Sequence, residues 1–192
     1  MIGYKVAKND KTKVIVTLEI PKDARTNMGR SSIAVKETAA YRADKVKVLA
    51  IEDASGTSYK TATTNFEGIS LTYKVGEVVE EPSFNPDKEE IYAEGIHYYI
   101  TRHIAELACM GMVENGPYHY WHANGRKCVE LTSVNWKLHG LYQHWLENGQ
   151  KCVEANFIEN KLHGLYRRWL VDGTKLEEII YDNGIVKEIL FP

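Results

Sequence analysis

GLYQHWLENGQKCVEANFIENKLH, residues 140–163, is the stretch that decides the fold. A related phrase of the same length precedes it at 116–139 (GPYHYWHANGRKCVELTSVNWKLH) and another follows at 164–187 (GLYRRWLVDGTKLEEIIYDNGIVK). Gly116, Gly140 and Gly164 open the three units. Tyr118, Tyr142 and Tyr166 keep the same 24-residue phase, as do Trp121, Trp145 and Trp169, and Gly125, Gly149 and Gly173. A fixed period of this size marks a repeat array, in which each unit covers its apolar side against its neighbours. Such arrays present surfaces more often than they enclose pockets.

Within a unit, short β-prone runs are separated by breakers, too short for the usual helix of ~11–12 residues. Asn124-Gly125, Asn148-Gly149 and Asp172-Gly173 read as hairpin turns, because both residue types tolerate positive φ. Asn183-Gly184 makes a further turn into Ile185–Leu190. The expectation is three hairpins and a closing strand, seven strands in an antiparallel meander. Alternation puts Leu141, Gln143 and Trp145 on one face and Tyr142, His144 and Leu146 on the other. It also sets Val153, Ala155 and Phe157 opposite Cys152, Glu154 and Asn156. Equivalent strands of successive hairpins lie roughly 9.6 Å apart. At that distance the tryptophans do not stack, Cys128 and Cys152 do not bridge, and His139 and His163 do not share a metal.

Upstream, Val14–Ile20 and Val46–Glu52 read as strands rich in β-branched residues. Ser70–Val75 and Glu77–Glu80 suggest another, broken at Gly76. Glu81–Asp87, with Pro82 and Pro86, reads as a surface loop, and Ile91–Ile100 includes GIHYYI, a buried-strand candidate with Gly95 at its entry. Thr101 stands where a helix N-cap belongs, before Arg102–Met110, with Gly111 to end the helix. The fold class is α+β, mostly β. Residues 1–110 form a mixed domain ending in a short helix, and residues 111–192 form the hairpin repeat sheet.

The bulk composition, 44% hydrophobic and 26% charged over 192 residues, is that of a soluble globular protein. No apolar run approaches a membrane span, and the lysine-rich N-terminus lacks the apolar core of a secretory signal. Three cysteines at no metal-ligand spacing suggest free thiols. Residues 109–192 carry nine Lys and Arg against ten Asp and Glu, leaving 15 against 16 upstream. Neither half is basic, so nucleic-acid binding by charge is not expected.

The units Gly-x-Tyr-x-x-Trp, with a turn glycine and Lys-Leu-His-Gly, resemble MORN repeats in the variant common in bacterial and giant-virus proteins. The upstream half resembles an uncharacterised domain that precedes such repeats in giant DNA-virus proteins. That likeness rests on YRADKVKVLAIE (Tyr41–Glu52), YKVGEVV (Tyr73–Val79) and GIHYYITRHIAE (Gly95–Glu106). In that domain cysteines tend to stand where this chain has Tyr41 and Tyr92. The resemblance implies a large-virus protein in the virion or the host cytoplasm, and it brings no catalytic residue set.

Candidate chemistry is sparse. His97 sits between apolar neighbours, with Glu94 three residues away and so on the other strand face; it reads as a structural histidine. His119, His122 and His144 lack the convergence a zinc site needs. No cofactor is implied. Glu130, Glu154 and Glu178 form an in-phase acidic row and Lys127, Lys151 and Lys175 a basic one, read either as solvated charge or as a ribbed surface for a periodic partner. The leading expectation is a non-enzymatic interaction or scaffolding module, its protein partner viral or host. Contacts would come from Tyr118, Tyr142 and Tyr166 and from exposed members of Trp121, Trp145 and Trp169. The alternatives are a peripheral binder of lipid head groups and an enzyme with its site around His97. The strand Ile185–Leu190, ending in Phe191-Pro192, offers an edge for self-association, which Pro192 would blunt.

Overall fold

The computed structural model describes residues 1–66, 69–111 and 113–191. Pro192 lies outside them. The chain divides into two compact units, one of Met1–Cys109 with Ala123–Gly125, the other of Met110–His122 with Arg126–Pro192. The fold is mostly β, in antiparallel sheets, with one short helix among the described residues.

The N-terminal unit contains β1 (Ile2–Asn9), β2 (Thr12–Glu19), β3 (Ala40–Ala43), β4 (Lys45–Glu52), β5 (Thr61–Phe66), β6 (Ile69–Lys74), β7 (Val78–Glu80), β8 (Ile96–Tyr99) and α1 (Arg102–Met110). Its sheet runs β3-β8-β1-β2-β4-β7, with the β5–β6 hairpin attached to β1. β3 and β4 stand towards opposite ends of that order, yet only Asp44 separates them in sequence. The sheet must therefore curl, bringing β3 and β4 together at Asp44. Val14, Val16 and Leu18 of β2, Val46 and Val48 of β4, and Tyr41, Tyr73, Ile96 and Tyr98 fill the interior. The strands expected at Val14–Ile20, Val46–Glu52 and Ser70–Val75 are present, but β1, β3 and β5 were not legible. Their sequences mix Lys, Asn, Thr and Ala, so their strand character comes from pairing.

Two local expectations need correction. The segment Glu81–Asp87 is not a plain surface loop, because Glu81 and Phe84 are buried. Beneath it lies Arg42, fully buried, donating to the main-chain carbonyls of Asn85 (2.7 Å), Glu90 (2.9 Å), Glu94 (3.0 Å) and Asp87. Its guanidinium also lies 4.9 Å from the Phe84 ring. The buried cation holds the path of the loop, since the loop's carbonyl oxygens compensate its burial. Thr101 precedes α1 as expected, but its hydroxyl donates to Glu37 O at 2.8 Å and does not cap the helix.

The C-terminal unit contains β9 (Gly116–Trp121), β10 (Lys127–Val134), β11 (Lys137–Leu138), β12 (Gly140–Trp145), β13 (Lys151–Ile158), β14 (Lys161–Trp169), β15 (Lys175–Asp182) and β16 (Ile185–Phe191). β11 and β12 flank His139 and both pair with β10, so they form one interrupted strand. The sheet is then the expected seven-strand meander.

The turns fall where expected. At Asn124-Gly125, Asn148-Gly149 and Asp172-Gly173 only the glycines have positive φ, at 89°, 89° and 85°. Gly149 N donates to Leu146 O (2.8 Å) and Leu146 N to Gln150 O (2.8 Å). This is a type I turn closed by a left-handed glycine, a three-residue loop. The two-residue turns with both φ positive lie at the other ends of the hairpins: Asn135-Trp136 (51°, 62°), Glu159-Asn160 (47°, 68°) and Asn183-Gly184 (53°, 87°).

Candidate interaction surface

A bulge beside the tryptophan recurs in each repeat. Trp121 pairs with Lys127 and Tyr120 with Val129, so Cys128 is the extra residue. Cys152 and Leu176 occupy the same place in the next two units. A bulge inverts the alternation after it. Alternation alone therefore misplaces Cys152: its thiol turns to the face of His144, and Sγ lies 3.2 Å from His144 Nδ1. Burial raises the thiol pKa and lowers that of the imidazole, so the pair rests neutral, without the thiolate a nucleophile needs. The three cysteines are free.

The same bulges bring Lys127 and Glu130, three residues apart, onto one face, where they pair at 2.8 Å. Lys151 pairs with Glu154 at 2.7 Å, and Lys175 with Glu178. Arg167 joins the units, reaching Glu154 at 3.2 Å and Glu178 at 3.0 Å. His119 stands 3.7 Å from Glu130, and Gln143 donates to Glu154 at 2.9 Å. The lysine hydrogen bonds come first in holding the carboxyls of Glu130, Glu154 and Glu178 below their usual range. Trp121, Trp145 and Trp169 share this face and are half-buried, with the Lys127 and Lys151 ammonium groups 5.3 Å and 5.7 Å from the Trp145 ring. The charged rows are thus an internally paired ladder.

The tyrosines occupy the opposite face. Tyr118 pairs with Leu131, Tyr142 with Ala155, Ala155 with Tyr166, Tyr166 with Ile179 and Ile179 with Ile189. Leu131 follows the Glu130–Gln143 pair, which places it beside Tyr142 and makes the row continuous. Ala155, 1% exposed, fills the space between its two tyrosines, while Tyr118, Tyr142 and Tyr166 remain half-exposed. Tyr142 meets Phe157 edge-on at 5.9 Å and Tyr166 meets Tyr181 likewise at 5.9 Å, a favoured aromatic geometry. The six aromatic candidates therefore form two rows on two faces. The opening glycines Gly116, Gly140 and Gly164 also hold positive φ.

Two exposed aromatics escaped the sequence reading. Trp136 is 58% exposed at the tip of its turn, and Tyr120 is 47% exposed. Both fall outside the repeat phase, which is why a search by period passes over them.

His97 donates its ring N–H to Ile91 O at 3.1 Å. Burial, then the charge of Lys5, lowers its pKa. Lys5 Nζ donates to His97 O at 3.0 Å, and burial draws its pKa down to about 8. Among the described residues no three His, Cys, Asp or Glu converge as a metal site, and no helix is long and apolar enough to cross a membrane.

Fold and surface define a class: a two-unit β-protein whose hairpin meander carries a paired ladder on one face and an aromatic row on the other. Residues 1–105, more than half of the chain, match the model of a family of unknown function (DUF5758), and the chain belongs to that family. Neither a curated protein nor a solved structure matches it.

Proposed function

We propose that this protein is a non-enzymatic interaction or scaffolding module of the MORN-repeat kind, acting in a large DNA virus or its host cell. It binds a protein partner through the tyrosine face of the repeat sheet. The observation that carries this reading is the continuous row Tyr118, Leu131, Tyr142, Ala155, Tyr166, Ile179 and Ile189. The opposite face spends its charges on itself, whereas this row offers half-exposed aromatic area, the usual anchor of an interface. Replacing Tyr118, Tyr142 and Tyr166 together by alanine should abolish capture of the partner from infected-cell lysate while circular dichroism stays native. Undiminished capture by the folded variant rejects the proposal. Flotation of the wild-type protein with anionic vesicles at low salt would instead favour a lipid surface.

Self-association is a second reading, favoured by β16. Every residue of this edge strand is exposed, including Ile185, Val186, Ile189, Leu190 and Phe191. Its register slips twice against β15, and such bulges discourage edge-to-edge ladders. Contact between copies would then rest on side chains. Light scattering should show a concentration-dependent mass that Ile189→Lys removes; a monomer at all concentrations ends this reading.

A further inference from the structure

The N-terminal unit buries two arginines, Arg30 and Arg42, and among the described residues neither has an ion-pair partner. Arg42 is compensated by its four carbonyls. Arg30 is not. It is 3% exposed, and Nη2 donates to Ala123 O at 2.6 Å, while Nε and Nη1 have no hydrogen-bond partner among the described residues. Among the described residues two further buried donors of this unit are also without a partner, Tyr98 O–H and Asn27 Nδ2, on residues each 1% exposed.

These groups form one cluster. The Arg30 guanidinium lies 5.4 Å from the Tyr41 ring, and that ring lies 5.8 Å from the Tyr98 ring. Arg30 N donates to Asn27 O, and Asn27 Oδ1 accepts from Arg42 N at 2.8 Å. Tyr41 takes no part, since its hydroxyl donates to Lys36 O. Glu89 is the carboxylate whose charge Arg30 feels most, but it is held at Ser31 N (2.7 Å) without forming an ion pair. Each unmet buried donor costs about 1–3 kcal/mol, and a buried cation without a counter-charge costs more. What is missing is acceptors and one negative charge.

We infer that the interior of the N-terminal unit holds a compact oxyanion, of the phosphate or carboxylate class, bound by Arg30, Tyr98 and Asn27. The donors belong to three side chains at different positions, so a ligand with several acceptor atoms serves them better than a halide. The guanidinium pKa is lowered by burial, and an anion would reverse that trend. The site is separate from the repeat face and does not rest on the function proposed for it.

The test is thermal unfolding of the full chain, titrated with sodium phosphate or sodium acetate at an ionic strength held constant with sodium chloride. A saturable rise of about 5 °C or more is expected with one of the oxyanions. Arg30→Met should lose it. Tyr98→Phe, which removes one donor and leaves the packing intact, should shift the titration to about tenfold higher concentration and serves if Arg30→Met fails to fold. No saturable response in the wild-type protein overturns the inference, because water or chloride then meets the donors. A response unchanged in the folded variants overturns it too, since the anion would be acting elsewhere.

Discussion

Gly125, Gly149 and Gly173 hold the same place in three units and nearly the same φ, yet they are not equivalent. Alanine at any of them carries the left-handed backbone penalty, about 1–2 kcal/mol. At Gly149 the added Cβ would meet the mobile end of Arg126 at 3.1 Å, and at Gly173 that of Gln150 at 3.2 Å. At Gly125 it would fall on the Val35 carbonyl oxygen, with Thr38 Oγ1 at 2.9 Å. Gly125→Ala should therefore lose about 1–3 kcal/mol more than Gly173→Ala in urea unfolding; equal losses would contradict this. The period shows that a glycine is needed at all three positions, but the extra demand at Gly125 comes from packing and has no sequence signal. Asp53 supplies a pH prediction. Its carboxylate accepts from Ser55 Oγ (2.6 Å), Tyr59 Oη (2.8 Å), Ser55 N (2.8 Å) and Thr57 N (3.0 Å), which draws its pKa down to about 2. The folded value lies below the unfolded ~3.9, so this stabilisation is whole above about pH 4 and is lost as pH falls towards 2. Asp53→Asn should flatten the stability profile across that window and leave its shape at neutral pH unchanged.

Among the elements, the repeat period predicted the strands and their order because Tyr, Trp and Gly recur in phase. It marked where the turns fall but not their type, because Asn-Gly serves either a two-residue turn or the end of a three-residue one, and only the ladder decides which. The bulge at Cys128, Cys152 and Leu176 was invisible for the same reason. A bulge adds a residue to the pairing and leaves no residue type behind. Its effect is large: it moves Cys152 across the sheet and assembles the Lys–Glu–Arg ladder. That ladder is partly exposed, so a double-mutant cycle on Arg167 and Glu178 should return only a small coupling that added salt weakens; a coupling insensitive to salt would mean the pair is shielded from water. The Asn135-Trp136 turn gives the sharper test. Its counterparts at the second position are Asn160 and Gly184, residues suited to positive φ, whereas Trp136 holds φ 62° while 58% exposed. Bulky residues are rare there, and such strain gathers at functional positions. Trp136→Gly should raise stability by about 1 kcal/mol and weaken partner binding. A gain in stability with binding unchanged would remove Trp136 from the interface.

At the scale of the whole molecule, the two halves differed in legibility. The C-terminal unit is built from neighbouring hairpins, so local sequence contains nearly all of its plan. The N-terminal unit is built from distant pairings: β1 with β8, β3 with β8, and a further contribution from Ala123–Gly125. Ala123 O accepts from Ala40 N (3.1 Å) and Arg30 Nη2 (2.6 Å), and Asn124 O accepts from Ala34 N (2.9 Å) and Val35 N (3.1 Å). A chain ending at residue 110 would leave these donors unmet, and its N-terminal unit should melt several degrees below that of the full chain. Equal melting of the two would show that Ala123–Gly125 is dispensable.

The curl of the N-terminal sheet also has a consequence in time. Tyr4 of β1 waits for Tyr99 of β8, 99 − 4 = 95 residues later. At ribosomal speeds that wait lasts roughly 5–20 s, far longer than a hairpin takes to form. The β1–β2 hairpin therefore emerges from the ribosome with both flanks open; β4 covers β2 first, and the flank of β1 must be kept from foreign strands until β8 arrives.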